Sequence, residues 1–61
     1  MPQDDVEAVR WYRLAAEQGD MAAQVNLGVM YEMGRGVSED VSVAMAWYRR
    51  AVAQGEVAAV W

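Results

Sequence analysis

The apolar residues of this chain recur every three to four positions in three segments, and polar residues occupy most of the positions between them. This spacing is typical of α-helices that bury one face. Glycines and acidic residues interrupt the pattern, and these residues favour helix ends and helix starts, respectively. The pattern therefore predicts an all-α fold with three main helices over residues 5–18, 21–33 and 40–54, and a short fourth helix over residues 57–61.

The predicted helices differ in the faces that they are expected to bury. In the first helix the buried stripe comprises Ala8, Trp11, Tyr12, Ala15 and Ala16. The second helix has two stripes: Ala23, Leu27, Met30 and Tyr31 form one, and Ala22, Val25, Val29, Glu32 and Met33 form the other. Gly28 lies inside this helix, where glycine costs about 1 kcal/mol relative to alanine. We therefore expect a neighbouring helix to approach Gly28 closely.

The segments between the helices have the chemistry of helix caps and tight turns. Gly19 is expected to end the first helix in a left-handed conformation, and Asp20 is expected to cap the second helix at once. A connection this short makes the two helices antiparallel. Gly34 and Gly36 are expected to supply turns with positive φ, and Val37 is expected to pack back onto the helices.

The first and third predicted helices repeat one another. Displacing the sequence by 36 residues aligns 25 positions, of which ten are identical, including Trp11-Tyr12-Arg13 with Trp47-Tyr48-Arg49. A fixed period of roughly 20–50 residues is typical of helical solenoids. We therefore interpret the chain as a solenoid fragment: a closing helix, one full repeat over about residues 20–55, and the start of a further helix. Each end of such a fragment is expected to expose an unstacked apolar face.

The repeated motif resembles the Sel-one-like repeat (SLR) family, which is related to the tetratricopeptide repeats. The matching residues are Ala23, Leu27, Gly28, Met30, Tyr31, Gly34, Gly36, Val37, Asp40, Ala44, Trp47, Tyr48, Ala51 and Gly55. With the repeated first helix, the resemblance covers nearly the whole chain. It implies an α–α superhelix in which first-type helices line a concave surface and second-type helices form the convex outside.

The same resemblance implies a function. The family often serves as an adaptor in multiprotein assemblies and in bacterial signalling. Its concave, partner-binding positions correspond here to Ala22, Val25, Val29, Glu32 and Met33. A cysteine-rich branch, for which β-lactam binding or hydrolysis is described, pairs cysteines within each repeat, whereas this chain contains no cysteine.

The composition restricts the chemistry that the chain can perform. It contains no Cys, His or Lys, so thiolate, imidazole and amine groups are missing as nucleophiles, bases or metal ligands. The net charge of −4 argues against nucleic acid or an anionic membrane as a partner. We therefore expect neither catalysis nor a cofactor. The sequence shows no signal peptide or membrane-spanning run, and the cytoplasm is the working assumption for its location.

Several local motifs allow a second interpretation. The two Trp-Tyr pairs could form an aromatic ligand cage, but their recurrence favours packing between helices. The loop over residues 34–36 lacks the Lys-Ser/Thr and the preceding strand of a phosphate-binding loop. Arg10, Arg13, Arg49 and Arg50 could form a basic stripe, although we favour a solvated convex face on which Arg13 and Arg49 pair with neighbouring helices. Acidic residues at the helix starts are explained by capping.

The sequence thus predicts a protein-interaction scaffold. An apolar groove centred on Val25, Val29 and Met33, and rimmed by Glu32, is suited to a protein or peptide partner. The alternative is a structural or engineered repeat fragment that forms homo-oligomers through its repeat ends or its concave face. A third and disfavoured alternative is the β-lactam-binding branch.

Overall fold

A computed structural model describes the backbone of residues 4–60 and the side chains of residues 4–56. The chain forms three α-helices: α1 spans Asp5–Glu17, α2 spans Met21–Met33 and α3 spans Val41–Val60. α2 packs against both α1 and α3 and is therefore the central helix. The predicted all-α fold class is confirmed. α1 ends one residue earlier than predicted, and α2 has the predicted bounds.

A three-residue connection joins α1 to α2 and reverses the chain. Gly19 has a φ of 99°, and the amide of Asp20 donates to the carbonyl oxygen of Ala15 at 3.0 Å. The side chain of Asp20 then accepts a hydrogen bond from the amide of Ala23 at 3.0 Å. Asp20 thus forms hydrogen bonds both at the end of α1 and at the start of α2. This short connection keeps the two helices antiparallel and close.

The connection between α2 and α3 is longer and packs against the start of α1. Gly34 ends α2 with a φ of 68°, and the amide of Asp40 donates to the carbonyl oxygen of Tyr31 at 2.9 Å. Arg35 forms an ion pair with Asp5 of α1 at 3.1 Å. A Cβ at Gly36 would collide with the backbone carbonyl of Asp5. This glycine therefore allows the loop to lie directly on α1.

The small, apolar side chains between the helices form the core. Leu27 is its largest fully buried side chain. The core cluster comprises Val9, Ala16, Ala23, Leu27 and Met30. Val37 packs against this cluster from the loop, as predicted. Alanine at several of these positions lets the helices approach closely, so the core is narrow and depends on α2 lying between its two neighbours.

The structure corrects the predicted end of the third helix. α3 begins at Val41, after the capping Asp40, and continues through Gly55 to Val60. The prediction of a separate helix over residues 57–61 is therefore wrong for residues 57–60, which continue α3. Residue 61 lies outside the described residues. Gly55 does not have a positive φ. A helix shorter than about 12 residues is marginal alone, whereas extending an existing helix avoids a new nucleation step.

The structure also corrects the buried face of α1. Trp11 was expected in the buried stripe, but it is 64% exposed. Val9 is buried in the core cluster, whereas Tyr12, Ala8 and Ala15 are partly buried against it. The face of α1 that meets α2 is therefore centred on Val9 and Ala16, and Trp11 lies to one side of it. Its counterpart 36 residues later, Trp47, packs against the core cluster.

Candidate protein interaction surface

The five residues that the sequence singled out all lie on α2, and we call them the α2 stripe: Ala22, Val25, Val29, Glu32 and Met33. Val25 is 40% exposed and Met33 is 59% exposed. Ala22 and Glu32 are also exposed, and Val29 is half-buried. The stripe thus presents apolar side chains to solvent along the helix whose other faces hold the core.

The first half of the stripe borders a groove between α2 and α3. This open, apolar groove has a volume of about 340 Å³, and we call it the α2–α3 groove. Its lining residues are Met21, Ala22, Val25, Ala51, Val52 and Gly55. Ala22 and Val25 therefore line one open groove together with residues of α3. Sequence reasoning did not identify the α3 contribution, because helix spacing does not show how two helices cross.

The second half of the stripe contacts α3 through one aromatic ring. The Tyr48 hydroxyl donates a hydrogen bond to the Glu32 carboxylate at 2.8 Å. The same ring lies against Gly28, where an added Cβ would be 2.6 Å from Tyr48 Cε1. The predicted close approach at Gly28 is therefore confirmed, and the approaching group is the ring of Tyr48.

The environment of Tyr48 also changes its acidity. Burial raises the pKa of the Tyr48 phenol above its ordinary value of 10.0, and the hydrogen bond to Glu32 and the negative charge of that carboxylate raise it further. A phenol with the ordinary pKa is already protonated at neutral pH, and the raised pKa of Tyr48 keeps it a hydrogen-bond donor in more alkaline solution as well. Glu32 is consequently held against α3, while Met33 next to it remains exposed.

A buried glutamine supports the stripe from behind, and the sequence analysis assigned it no role. Gln24 Nε2 donates to the carbonyl oxygen of Ala16 in α1 at 3.0 Å. Gln24 Oε1 accepts from Gln54 Nε2 of α3 at 2.9 Å. Gln24 is the buried polar residue of the described part of the chain, and it links all three helices. The sequence feature that could have indicated this role is the position of Gln24, a polar residue between the two apolar stripes of α2.

Three of the five arginines, namely Arg13, Arg35 and Arg50, pair with other residues of the described chain. Arg13 Nη2 donates to the Tyr31 hydroxyl at 2.5 Å, and its guanidinium carbon lies 5.9 Å from the centre of the Tyr31 ring. The guanidinium of Arg50 stacks over Trp47 at 4.7 Å. The predicted pairing with a neighbouring helix is confirmed for Arg13, whereas Arg49 is exposed and makes no such pairing within the described residues. Trp47 and Tyr48 make packing contacts, which agrees with the interpretation favoured for the aromatic pairs, and so does Tyr12. Trp11 does not agree with it, since it is exposed.

Within the described residues, the acidic side chains form no group of three that could hold a metal ion. Gly34 and Gly36 both have positive φ, which agrees with their predicted role in the turn. Among residues 4–60, none of the three helices combines the length and the apolar character that crossing a bilayer requires. The helices thus provide surfaces for contact with other molecules, and α2 exposes the apolar side chains of Met21, Val25 and Met33.

A family model matches nearly the whole chain, in two segments. The model of the Sel1 repeat matches residues 1–20 and residues 22–56. The chain belongs to the Sel1 repeat family. Sel1 repeats generally mediate protein–protein interactions, and they are typically non-catalytic modules. Searches of curated proteins and of solved structures each returned no match.

The two matched segments of the Sel1 repeat meet in the connection between α1 and α2. The first segment ends with the capping Asp20, and the second covers all but the first residue of α2, the glycine-containing loop and most of α3. Most of α2 and α3 thus falls within one matched segment, and α1 falls within the other. Residues with equivalent positions in α1 and α3 can therefore be compared directly.

Proposed function

We propose that this chain is a non-catalytic protein-interaction module and that the α2 stripe contacts its partner. The observation that carries the proposal is the exposure of Val25 and Met33, at 40% and 59%, on the helix that otherwise forms the centre of the core. Single exposed apolar residues are common on protein surfaces. Two on one face of a central helix, beside an apolar groove, support a contact surface.

The scaffold behind the stripe supports the same function. Leu27 is fully buried on the opposite side of α2, and Gln24 joins α2 to both neighbouring helices. Tyr48 holds Glu32 in place. A surface that is already ordered before binding loses less conformational entropy when a partner docks. The stripe therefore meets the main physical requirement of an adaptor surface.

The charge of the chain indicates the kind of partner. The net charge is −4, and opposite charges on a partner accelerate association and select against acidic competitors. We infer that the partner is a protein segment with apolar side chains for the groove and basic residues around them. An amphipathic helix has this combination of features.

The test compares partner capture by two variants that each place a glutamate at an exposed apolar position. Met33→Glu places a charge on the stripe, and Val6→Glu places one at an exposed position of α1. Both variants should retain the helix content of the wild type in circular dichroism. Quantitative affinity capture from the native cell should lose specific partners with Met33→Glu and keep them with Val6→Glu. Equal capture by both variants would refute the proposed surface.

Self-association is a second candidate, and a separate observation favours it. Trp11 and Leu14 are exposed on α1, and Val52 is exposed on α3. Such faces at both ends of a helical array can pair between copies. Light scattering should then show a dimer or higher oligomer whose fraction rises with concentration. A monomer that stays folded and unassociated at high micromolar concentration would exclude this candidate.

Catalysis forms no part of the proposal. The chain lacks His, Cys and Lys, and its exposed carboxylates at Asp4, Asp20 and Asp40 accept hydrogen bonds from helix amides. We expect no turnover of a chromogenic β-lactam. Turnover above the uncatalysed rate by the purified chain would contradict a purely binding role.

A further inference from the structure

The large apolar side chains that the helices expose differ in kind from one helix to another. Within the described residues, those of α1 are Val6, Trp11 and Leu14, and none is a methionine. Those of α2 and α3 are Met21, Val25, Met33, Val41, Met45 and Val52. Half of this second set are methionines, so methionine is concentrated on the exposed surface of α2 and α3. The repeat shows the same difference, since Met45 of α3 occupies the position of Val9 in α1.

Two of these methionines belong to the region proposed to bind a partner. Met33 is 59% exposed at the end of the α2 stripe, and Met21 is 46% exposed and lines the α2–α3 groove. The sulfur of Met21 lies 3.8 Å from the point that a Cβ on Gly55 would occupy. Methionine is flexible and polarisable, so it adapts to apolar surfaces of different shapes. Both side chains are thus open to solvent where apolar contact with a partner is expected.

Another methionine of α2 is protected from solvent. Met30 is 6% exposed and belongs to the core cluster. Its carbonyl oxygen accepts hydrogen bonds from the amides of Gly34 and Arg35, which close the end of α2. Met33 belongs neither to the core cluster nor to the residues packed against it. A chemical change confined to the Met33 side chain therefore leaves the core and the cap of α2 intact.

We propose that Met33 is a site of reversible oxidation by hydrogen peroxide, and that its sulfoxide is the form in which the α2 stripe releases its partner. The thioether sulfur attacks one peroxide oxygen, so an S–O bond forms as the O–O bond breaks. Sulfur loses two electrons, and the other oxygen leaves as water. Methionine sulfoxide reductases restore the thioether, as two thiols are oxidised to a disulfide and the oxygen leaves as water. This proposal rests on the proposed function, because it names the regulation of the same stripe.

Oxidation changes the chemistry of the stripe without moving its backbone. The thioether is an apolar contact, whereas the sulfoxide is polar. Met33 follows Glu32, whose carboxylate is already held by Tyr48, so oxidation places a second polar group at this end of the stripe. An apolar side chain of the partner would then cover an unpaired polar group, which is unfavourable. The sulfoxide should therefore weaken association at least about tenfold.

The first experiment measures the oxidation of each methionine in the folded chain. Tandem mass spectrometry of proteolytic fragments gives the rate at each position after treatment with hydrogen peroxide, and Met1, which lies outside the described residues, is scored separately. Met33 should oxidise at least about tenfold faster than Met30, because a buried side chain reacts only when the fold opens. In urea that unfolds the chain, the two rates should converge. Equal rates in the folded chain would overturn the proposed site.

The second experiment isolates Met33 as the position that controls binding. In a background chain with Met21→Leu and Met45→Leu, which conserve volume, Met33 is the exposed methionine that remains among the described residues. Peroxide treatment, ended with catalase, should lower the capture of those partners that Met33→Glu loses at least about tenfold. Methionine sulfoxide reductases should restore capture. The matched control adds Met33→Leu and should capture the same partners before and after peroxide.

The outcomes separate this proposal from the proposed function. The oxidised background chain should keep its helix content in circular dichroism, and loss of helix would overturn the proposal, because oxidation would then act through the fold. Capture that survives oxidation of Met33 but is lost with Met33→Glu would also overturn it, while the proposed function would stand. Capture that Met33→Glu does not change would refute the proposed function and, with it, release of a partner. The oxidation rates would still decide whether Met33 is the modified site.

Discussion

Replacing Gly28 with alanine should destabilise this fold, although alanine is the better helix former. Alanine would gain about 1 kcal/mol in an unobstructed helix. At Gly28, however, the new Cβ would lie 2.6 Å from Tyr48 Cε1 and 2.8 Å from Tyr48 Cδ1. The ring must therefore move, and its hydrogen bond to Glu32 at 2.8 Å must lengthen or break.

The expected magnitude follows from these opposing contributions. Overpacking at a close contact costs about 1–3 kcal/mol, and loss of the hydrogen bond costs about 1 kcal/mol. After the helix-propensity gain, Gly28→Ala should lower the free energy of unfolding by about 1–3 kcal/mol. A domain of this length has a total of about 3–9 kcal/mol, so the change is large enough to measure.

The assay is urea unfolding followed by circular dichroism, in two backgrounds. Gly28→Ala should destabilise the wild-type chain and should stabilise the Tyr48→Ala chain by up to about 1 kcal/mol, since the obstructing ring is then absent. A stabilising osmolyte in all samples keeps the weaker variants folded. The same sign in both backgrounds would refute the role assigned to the Gly28–Tyr48 contact.

Three further predictions concern stability. Gln24→Ala should lower the free energy of unfolding in urea by about 2–3 kcal/mol, because two hydrogen bonds and buried volume are lost. Gln54→Ala should lower it by about 1 kcal/mol. Equal losses in the two variants would contradict the central role of Gln24. Trp11→Ala should change the free energy of unfolding by less than about 0.5 kcal/mol, whereas Trp47→Ala should lower it by about 2 kcal/mol. A larger loss for Trp11→Ala than for Trp47→Ala would contradict the packing described for the two residues. The raised pKa of Tyr48 predicts that the free energy of unfolding falls as the pH rises above about 10, where the unfolded state releases this proton first. Tyr48→Phe should reduce this decrease in the free energy of unfolding with pH. An unchanged pH dependence in Tyr48→Phe would contradict the raised pKa of Tyr48.

The fold could be predicted from local signals. The spacing of Leu27, Met30 and Tyr31 is that of a helix, and Asp20 and Gly34 mark its two ends. These signals act over three or four residues, so they do not depend on how the helices are arranged. The 36-residue repeat then predicted the helical-repeat architecture, because a fixed period of roughly 20–50 residues is typical of such arrays.

Features that depend on neighbouring helices could not be predicted in the same way. Trp11 and Trp47 occupy the same repeat position, but only Trp47 packs against the core cluster. Both tryptophans belong to the same Trp-Tyr-Arg motif, so the motif cannot show which of them has a neighbour on that side. The end of α3 was not predicted either: Gly55 repeats Gly19 in the sequence, but Gly55 does not have a positive φ, and α3 continues through it.

The candidate site was predicted in part. The exposure of Val25 and Met33 agrees with a stripe on the outer face of α2, while the binding role of that stripe remains a prediction. The contacts from α3 were not foreseen: Tyr48 reaches Glu32, and Val52 completes the groove. Both depend on the crossing of two helices, which sequence periodicity does not specify.

Site-specific photo-crosslinking tests the central claim most directly. A benzoylphenylalanine at position 33 lies on the α2 stripe, and the same residue at position 6 lies on α1, where Val6 is similarly exposed. After irradiation with native extract, position 33 should form adducts with discrete partner proteins, and position 6 should form none of these. Adducts of the same proteins at position 6, with none at position 33, would show that partners bind elsewhere on this Sel1 repeat.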